Sequence, residues 1–251
     1  MVLVIAGGST GSEPSRGNLT RFAELAKSCS ARVAVLYQVP NQPLLGNKSE
    51  DNLISETFLR HLKTGDSTWP LLFPMVKSAV RAMDAVQELA REKWKTTVNG
   101  FVVTGASKRG WTTWLTAAVD KRVKAIAPLV IDTLNLAVQT KHQKRQWGKF
   151  SRQIRAYTSK GLIALMQKRP NLPLWKWVDP YSYRGRLTQP KLVINGTNDP
   201  YWCVDALNNY WTELSGPKYA LYIPNAGHGL RGGEQQLRST LAAFFRSVAT
   251  G

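Results

Sequence analysis

The 251-residue sequence predicts an α/β fold, a mainly parallel sheet of about six strands flanked by helices. Three observations carry this. Short, wholly apolar runs recur and several are closed by glycine, as in strands buried on both faces. Those runs alternate with longer stretches of helical periodicity, which implies parallel strands joined by right-handed crossovers. The residues able to do chemistry sit just after such runs, at one edge of the expected sheet. An apolar fraction of 43% and nine tryptophans can fill the core such a fold needs.

The elements follow in order. Residues 2–6 form an apolar strand that runs into Gly7-Gly8-Ser9-Thr10-Gly11. Residues 19–28 form an amphipathic helix with Phe22, Leu25 and Ala26 inward, and residues 32–38 a second strand broken by Val39-Pro40-Asn41-Gln42-Pro43. A helix is expected over 51–61. A longer one runs from 69 to 94, where Met75, Ala79, Ala82, Val86 and Leu89 recur at helical spacing. The run Phe101-Val102-Val103-Thr104 enters Gly105-Ala106-Ser107-Lys108-Arg109-Gly110-Trp111, and a helix with Trp114, Leu115 and Ala118 inward follows. Residues 123–131 form a strand ending at Asp132. Strands at 191–195 and 219–223, a helix at 206–214 and a closing helix at 235–248 complete the pattern.

Between residues 133 and 188 the character changes. Twelve lysines and arginines face a single acid, Asp179, and Trp147, Tyr157, Trp175, Trp177, Tyr181 and Tyr183 are interleaved. The segment is too long for a simple connection. It is expected to be a basic, Trp-rich helical cap inserted over a core formed by 1–132 and 189–251.

Apolar strand, Gly-x-Ser and helix in succession are the layout of a nucleophile elbow, in which a tight turn lifts a serine hydroxyl above the sheet. The match is imperfect, because Arg109 stands two residues after Ser107 where glycine is usual. A serine nucleophile needs a histidine base, and the base needs an orienting carboxylate. Ser107, Asp199 and His228 each follow a strand, in the chain order of an α/β-hydrolase triad. Asp132 also ends a strand and is the alternative acid; Asp205 is read as a cap for the helix at Ala206. Of the other histidines, His61 is placed on a polar helix face and His142 in the basic segment. Backbone N–H groups of Lys108 and of Gly7 or Gly8 are the expected oxyanion donors. The Lys108 ammonium is expected in solvent, with charge stabilisation as the alternative.

The charge balance of 34 basic to 16 acidic residues, net +18, admits an anionic surface or an acidic substrate as partner. Nucleic acid is not expected, since no nucleic-acid-binding motif is present. Two cysteines, Cys29 and Cys203, are too few for a disulfide framework. No His/Cys/Asp set has metal-ligand spacing, and neither metal nor cofactor is expected. No run reaches the length of a membrane span, and no secretion signal opens the chain, so a cytoplasmic location is expected.

Several long strings share one likeness. Thr104-Gly105-Ala106-Ser107-Lys108-Arg109-Gly110-Trp111 and its continuation to Asp120, Arg122-Val123-Lys124-Ala125-Ile126-Ala127-Pro128 and Val130-Ile131-Asp132-Thr133-Leu134-Asn135 resemble the PhoPQ-activated pathogenicity-related protein family. So do Gln38-Val39-Pro40-Asn41-Gln42-Pro43-Leu44, residues 74–84, Val178-Asp179-Pro180-Tyr181 and Pro224-Asn225-Ala226-Gly227-His228. The resemblance implies an α/β-hydrolase fold, carries Ser107, Asp199 and His228 across as the triad, and makes Gly7-Gly8 the oxyanion-loop candidate. Members are usually longer, with extra N-terminal strands, so an N-terminally shortened sheet is expected; longer relatives are typically exported. Gly-x-Ser-Lys-x-Gly also resembles the Gly-x-Ser-Arg-x-Gly of glucuronoyl esterases, which adds uronate esters as a substrate option.

The expected activity is a serine esterase acting on small carboxylic esters, acidic or aromatic, through an acyl-enzyme. A peptidase or aminopeptidase with the same triad is one alternative. A non-catalytic cationic binding or signalling protein on a hydrolase fold is the other.

Overall fold

The computed structural model describes residues 1–250. Six strands form one sheet: β1 (Val2–Ile5), β2 (Val33–Leu36), β3 (Phe101–Ala106), β4 (Val123–Leu129), β5 (Lys191–Gly196) and β6 (Lys218–Ile223). Their order is β2-β1-β3-β4-β5-β6, and every neighbouring pair is parallel. The four central strands are mainly apolar and mainly buried, as strands covered on both faces must be.

Successive strand residues supply opposite cores. Leu3, Ile5, Phe101 and Val103 pack into the larger cluster; Val2, Val4 and Val102 face the smaller one. The smaller core is closed by α1 (Arg16–Cys29) and α9 (Glu234–Thr250), through Leu25, Leu241, Phe244 and Phe245. The larger is closed by α2 (Glu50–Thr64), α3 (Leu72–Trp94) and α4 (Lys108–Val119). The chain moves outward from β1 to β2 and then returns past β1 to β3. This reversal makes a switch point, where ligand crevices of open α/β sheets lie.

Between β4 and β5 the chain forms α5 (Leu136–Trp147), α6 (Arg155–Thr158), α7 (Leu162–Lys168) and α8 (Pro173–Val178), with 3₁₀ turns at Arg152–Ile154 and Pro180–Arg186. Ile154, Leu162, Met166, Leu174 and Trp175 join the same hydrophobic cluster as the sheet and α4. Asp179, the segment's single acid, is buried and accepts from the N–H groups of Asn135, Leu136 and Tyr181, which caps α5 across the fold. Of the twelve basic residues, ten are exposed, and Lys160 and Arg184 are half-buried.

One expected helix is absent. Residues 206–214 form two 3₁₀ turns, Ala206–Asn209 and Trp211–Glu213. Tyr210 departs from helical geometry between them and sends its hydroxyl to the buried Asp132. Lys218 Nζ takes the carbonyls of Trp211 and Leu214 instead. No helix among the described residues is long and apolar enough to cross a membrane.

Candidate active site

The turn between β3 and α4 is strained. Ser107 has φ 56° and ψ −122°, a conformation that side-chain-bearing residues rarely adopt. Two glycines permit it. A Cβ at Gly105 would lie 2.7 Å from the Arg109 carbonyl oxygen, and one at Gly110 would lie 2.5 Å from the Ile131 side chain. Although Ser107 occupies the N-cap position of α4, its side chain makes no cap hydrogen bond. Its Oγ lies 2.9 Å from His228 Nε2 instead. His228 Nδ1 lies 2.8 Å from Asp199 Oδ2. Asp199 is 6% exposed, and its other oxygen accepts from the Tyr201 N–H at 2.9 Å.

Sequence spacing left two acids open, and the fold separates them. Asp132 is 1% exposed and accepts from Asn195 Nδ2 at 2.7 Å and from the Tyr210 hydroxyl. Burial pushes its carboxyl up to about 6. His61 is not on a solvated face: it is buried, with Nδ1 2.9 Å from the Asp66 carbonyl and its ring against Trp177. His142 is also buried and meets Asp205, which therefore does not cap the following turn.

Lys108 departs from expectation as well. Its side chain is only 11% exposed and its ammonium lies 2.9 Å from Asp51. Burial works against the charge, but Asp51 and Glu50 outweigh it and hold the pKa above its ordinary value. Asp51 also accepts from the Tyr157 hydroxyl at 2.9 Å and from the Tyr201 hydroxyl at 3.3 Å. The Tyr201 ring lies 4.2 Å from the His228 ring, centroid to centroid. Tyr201 thus touches the acid, the histidine and the Asp51–Lys108 pair together.

Arg109 now has a physical reason. Its guanidinium is bidentate on Glu50, at 2.7 and 2.8 Å, and donates to the Val39 carbonyl at 2.5 Å. Gly7 leaves the slot it passes through, since a Cβ there would lie 2.6 Å from Arg109 Nη2. Gln42 Nε2 donates to Glu50 at 2.6 Å and to the Gly8 carbonyl at 3.2 Å. The elbow is therefore wired to the Gly7-Gly8 loop through Arg109, Glu50 and Gln42. The N–H groups of Gly7, Gly8 and Lys108 have no acceptor among the described residues.

A cavity opens beside Ser107 and His228. The segment between β4 and β5 lines it with Leu136, Ile154, Leu162, Met166 and Trp175, and α2 and α4 add Phe58 and Trp111. None of the twelve basic side chains of that segment lines it; its one cation is Lys108. Glu50, Asp51, Tyr157 and Tyr201 escaped sequence reasoning. Gln42 was signalled only by its place in one of the shared strings.

A serine on a strained strand-to-helix turn, with an acid and a histidine after later strands of this parallel sheet, defines the α/β-hydrolase class of fold. The family model of the PhoPQ-activated pathogenicity-related protein matches residues 1–251, and the chain belongs to that family. Autocrine proliferation repressor protein A of Dictyostelium discoideum is 34% identical over 257 residues, which cover 99% of this chain and 52% of that protein. The chain thus spans about half the length of that curated relative. Among solved structures, Est1E from Butyrivibrio proteoclasticus aligns with a TM-score of 0.59 at 14% identity, covering 100% of this chain and 88% of that one. A puromycin hydrolase variant aligns with a TM-score of 0.62 at 17% identity, covering 99% of this chain and 34% of that one.

Proposed function

We propose that the chain is a serine hydrolase cleaving small carboxylic esters with apolar or aromatic acyl groups. The observation that carries this is the unbroken Ser107–His228–Asp199 hydrogen-bond line opening on an apolar cavity. Ser107 Oγ attacks the ester carbonyl carbon as His228 Nε2 takes its proton. Asp199 holds the imidazole through Nδ1 and stabilises the imidazolium. Backbone N–H groups of Lys108 and of Gly7 or Gly8 receive the oxyanion. Collapse expels the alcohol with the proton from His228, and water then releases the acid from Ser107 by the same route. In this reading residues 133–188 act as the cap that shapes the acyl pocket.

The lining bears on the substrate. None of the cap's cationic side chains lines the cavity, and the Lys108 charge is already answered by Asp51 and Glu50. That favours a neutral, aromatic or aliphatic acyl group over an acidic or uronate ester. A protein of the same fold, Est1E, has been solved with ferulic acid bound, an aromatic acid.

The relative's name, a proliferation repressor, favours a signalling role as the second reading. A p-nitrophenyl ester panel graded by acyl length and charge separates the two, with Ser107→Ala and a serine-reactive phosphonate as controls. Turnover of neutral esters, lost by about 10⁴-fold or more in Ser107→Ala, and a phosphonate adduct on Ser107 are expected. No turnover and no adduct would reject the hydrolase. Faster cleavage of aminoacyl p-nitroanilides than of esters would make it a peptidase.

A further inference from the structure

Outside the candidate active site, the fold brings together three side chains that sequence spacing kept apart. His142 lies on α5; Cys203 and Asp205 lie on the loop after β5, just beyond Asp199. The His142 nitrogen, the Cys203 sulfur and an Asp205 oxygen all lie within 4.8 Å of one another. His142 and Cys203 are 4% and 5% exposed, whereas the Asp205 side chain is 43% exposed and leaves one side open to water.

Two plainer readings compete. A Cys-His-Asp nucleophile is the first. It fails on access, because neither Cys203 nor His142 lines the cavity that Ser107 and His228 share. It also fails on chemistry: burial, with Asp205 adding to it, pushes the thiol up to about 11, so little thiolate exists at neutral pH. A purely structural His142–Asp205 hydrogen bond is the second. It accounts for the 2.7 Å contact but gives Cys203 no task.

Arg145 separates the second reading from a ligand site. Its Nη2 lies 2.9 Å from His142 Nδ1. A guanidinium only donates, so Nδ1 accepts and Nε2 keeps the proton that it gives to Asp205. A metal ion on Nε2 needs the opposite tautomer, with Arg145 withdrawn. Arg145 is exposed, so water can take over its hydrogen bonds when it withdraws.

We propose that His142 Nε2, Cys203 Sγ and the Asp205 carboxylate form a site for a divalent ion of the zinc type, with water as fourth ligand and Arg145 as the side chain that holds the empty site's imidazole in the other tautomer. One nitrogen, one sulfur and one oxygen donor, with one side open to water, suit tetrahedral Zn²⁺ rather than the all-oxygen shells of Mg²⁺ or Ca²⁺. On binding, the thiol proton leaves to solvent and the imidazole proton moves from Nε2 to Nδ1. The ion then ties α5 to the loop that carries Asp199, where Gln143 Nε2 already donates to the Tyr201 carbonyl at 2.8 Å and Ser151 Oγ to the Pro200 carbonyl at 2.6 Å.

The test uses the full chain, stripped of metal and of any affinity tag, titrated with Co²⁺ and then with Zn²⁺ in competition. One equivalent of Co²⁺ with a thiolate-to-cobalt charge-transfer band is expected, displaced by Zn²⁺. Cys203→Ser should abolish the band and weaken Zn²⁺ binding by at least about tenfold. Asp205→Asn, at a partly exposed position, serves if the serine variant does not fold. Arg145→Met should tighten binding, and His228→Ala should leave it unchanged. A titration without the band, or equal Zn²⁺ affinity in Cys203→Ser and the parent, overturns the site. A loss of binding in His228→Ala would place the ion at the triad and overturn it equally. None of these readouts depends on ester turnover.

Discussion

Arg109 stands where an elbow usually carries glycine, and it stands there because Gly7 gives up its side chain to make room. The Arg109–Glu50 pair beside the candidate nucleophile is bidentate, and the same guanidinium donates to the Val39 carbonyl. Burial alone would raise the Glu50 carboxyl, but Arg109 and Gln42 pull it down to about 2 from an ordinary 4.5. Between those values the folded chain binds fewer protons at this site than the unfolded one. The pair's contribution is therefore complete above about pH 4.5 and disappears as the pH falls through 2. Glu50→Gln should cost about 2 kcal/mol near pH 7, less than the 3–5 kcal/mol of a fully buried broken pair because Glu50 is partly exposed. Urea unfolding of parent and variant at pH 7, 4 and 2.5 checks this; a gap that fails to narrow on acidification would separate the depressed carboxyl from stability.

At the scale of elements, the elbow is a contact between a strand and the first turn of a helix, with no space left for side chains. The atoms facing Gly105 are the Arg109 carbonyl and Cβ, which cannot rotate away. Gly105→Ala should therefore destabilise by about 2 kcal/mol or more, as overpacking against fixed atoms does. Gly185 is the control: a Cβ added there would meet nothing within 4 Å, and Gly185→Ala should be near neutral. Thermal unfolding of the two variants side by side measures the difference. The acid loop has its own supports. Gln139, His142 and Gln143 of α5 all reach residues 201–209, so this helix braces the loop that follows Asp199.

For the whole molecule, the expected division into a core and a cap meets one continuous hydrophobic cluster. Val103 of β3, Trp114 of α4, Leu162 of α7 and Trp175 of α8 belong to it together. Trp111 Nε1 donates to the Val178 carbonyl at 2.6 Å, which stitches α4 to the end of α8. Such a shared core predicts a single cooperative transition. Tryptophan fluorescence, to which Trp147, Trp175 and Trp177 of the segment contribute, and far-ultraviolet circular dichroism should give superimposable unfolding curves. Fluorescence leading by a clear margin would mean that residues 133–188 unfold on their own.

The sequence by itself determined the strands, most of the helices, the parallel character of the sheet and the placement of Ser107, Asp199 and His228 after strands at one edge. Each of those is written locally, in an apolar run, a period or a turn beside a strand end, and the strand ends of a parallel sheet converge without further information. What only the tertiary structure decided is held by partners far apart in the chain. Arg109 meets Glu50, Lys108 meets Asp51, Tyr201 stacks on His228, and His142 finds Asp205 and Cys203. Asp132 and Asp199 look alike at the ends of their strands; Tyr210 and Asn195 bind the first, leaving the second for the histidine. The segment read as a basic, Trp-rich cap contributes an apolar lining, because ten of its twelve lysines and arginines are exposed while Leu136, Ile154, Leu162, Ile163, Met166 and Trp175 line the cavity. Composition records how many of each a segment holds, and only packing chooses the face.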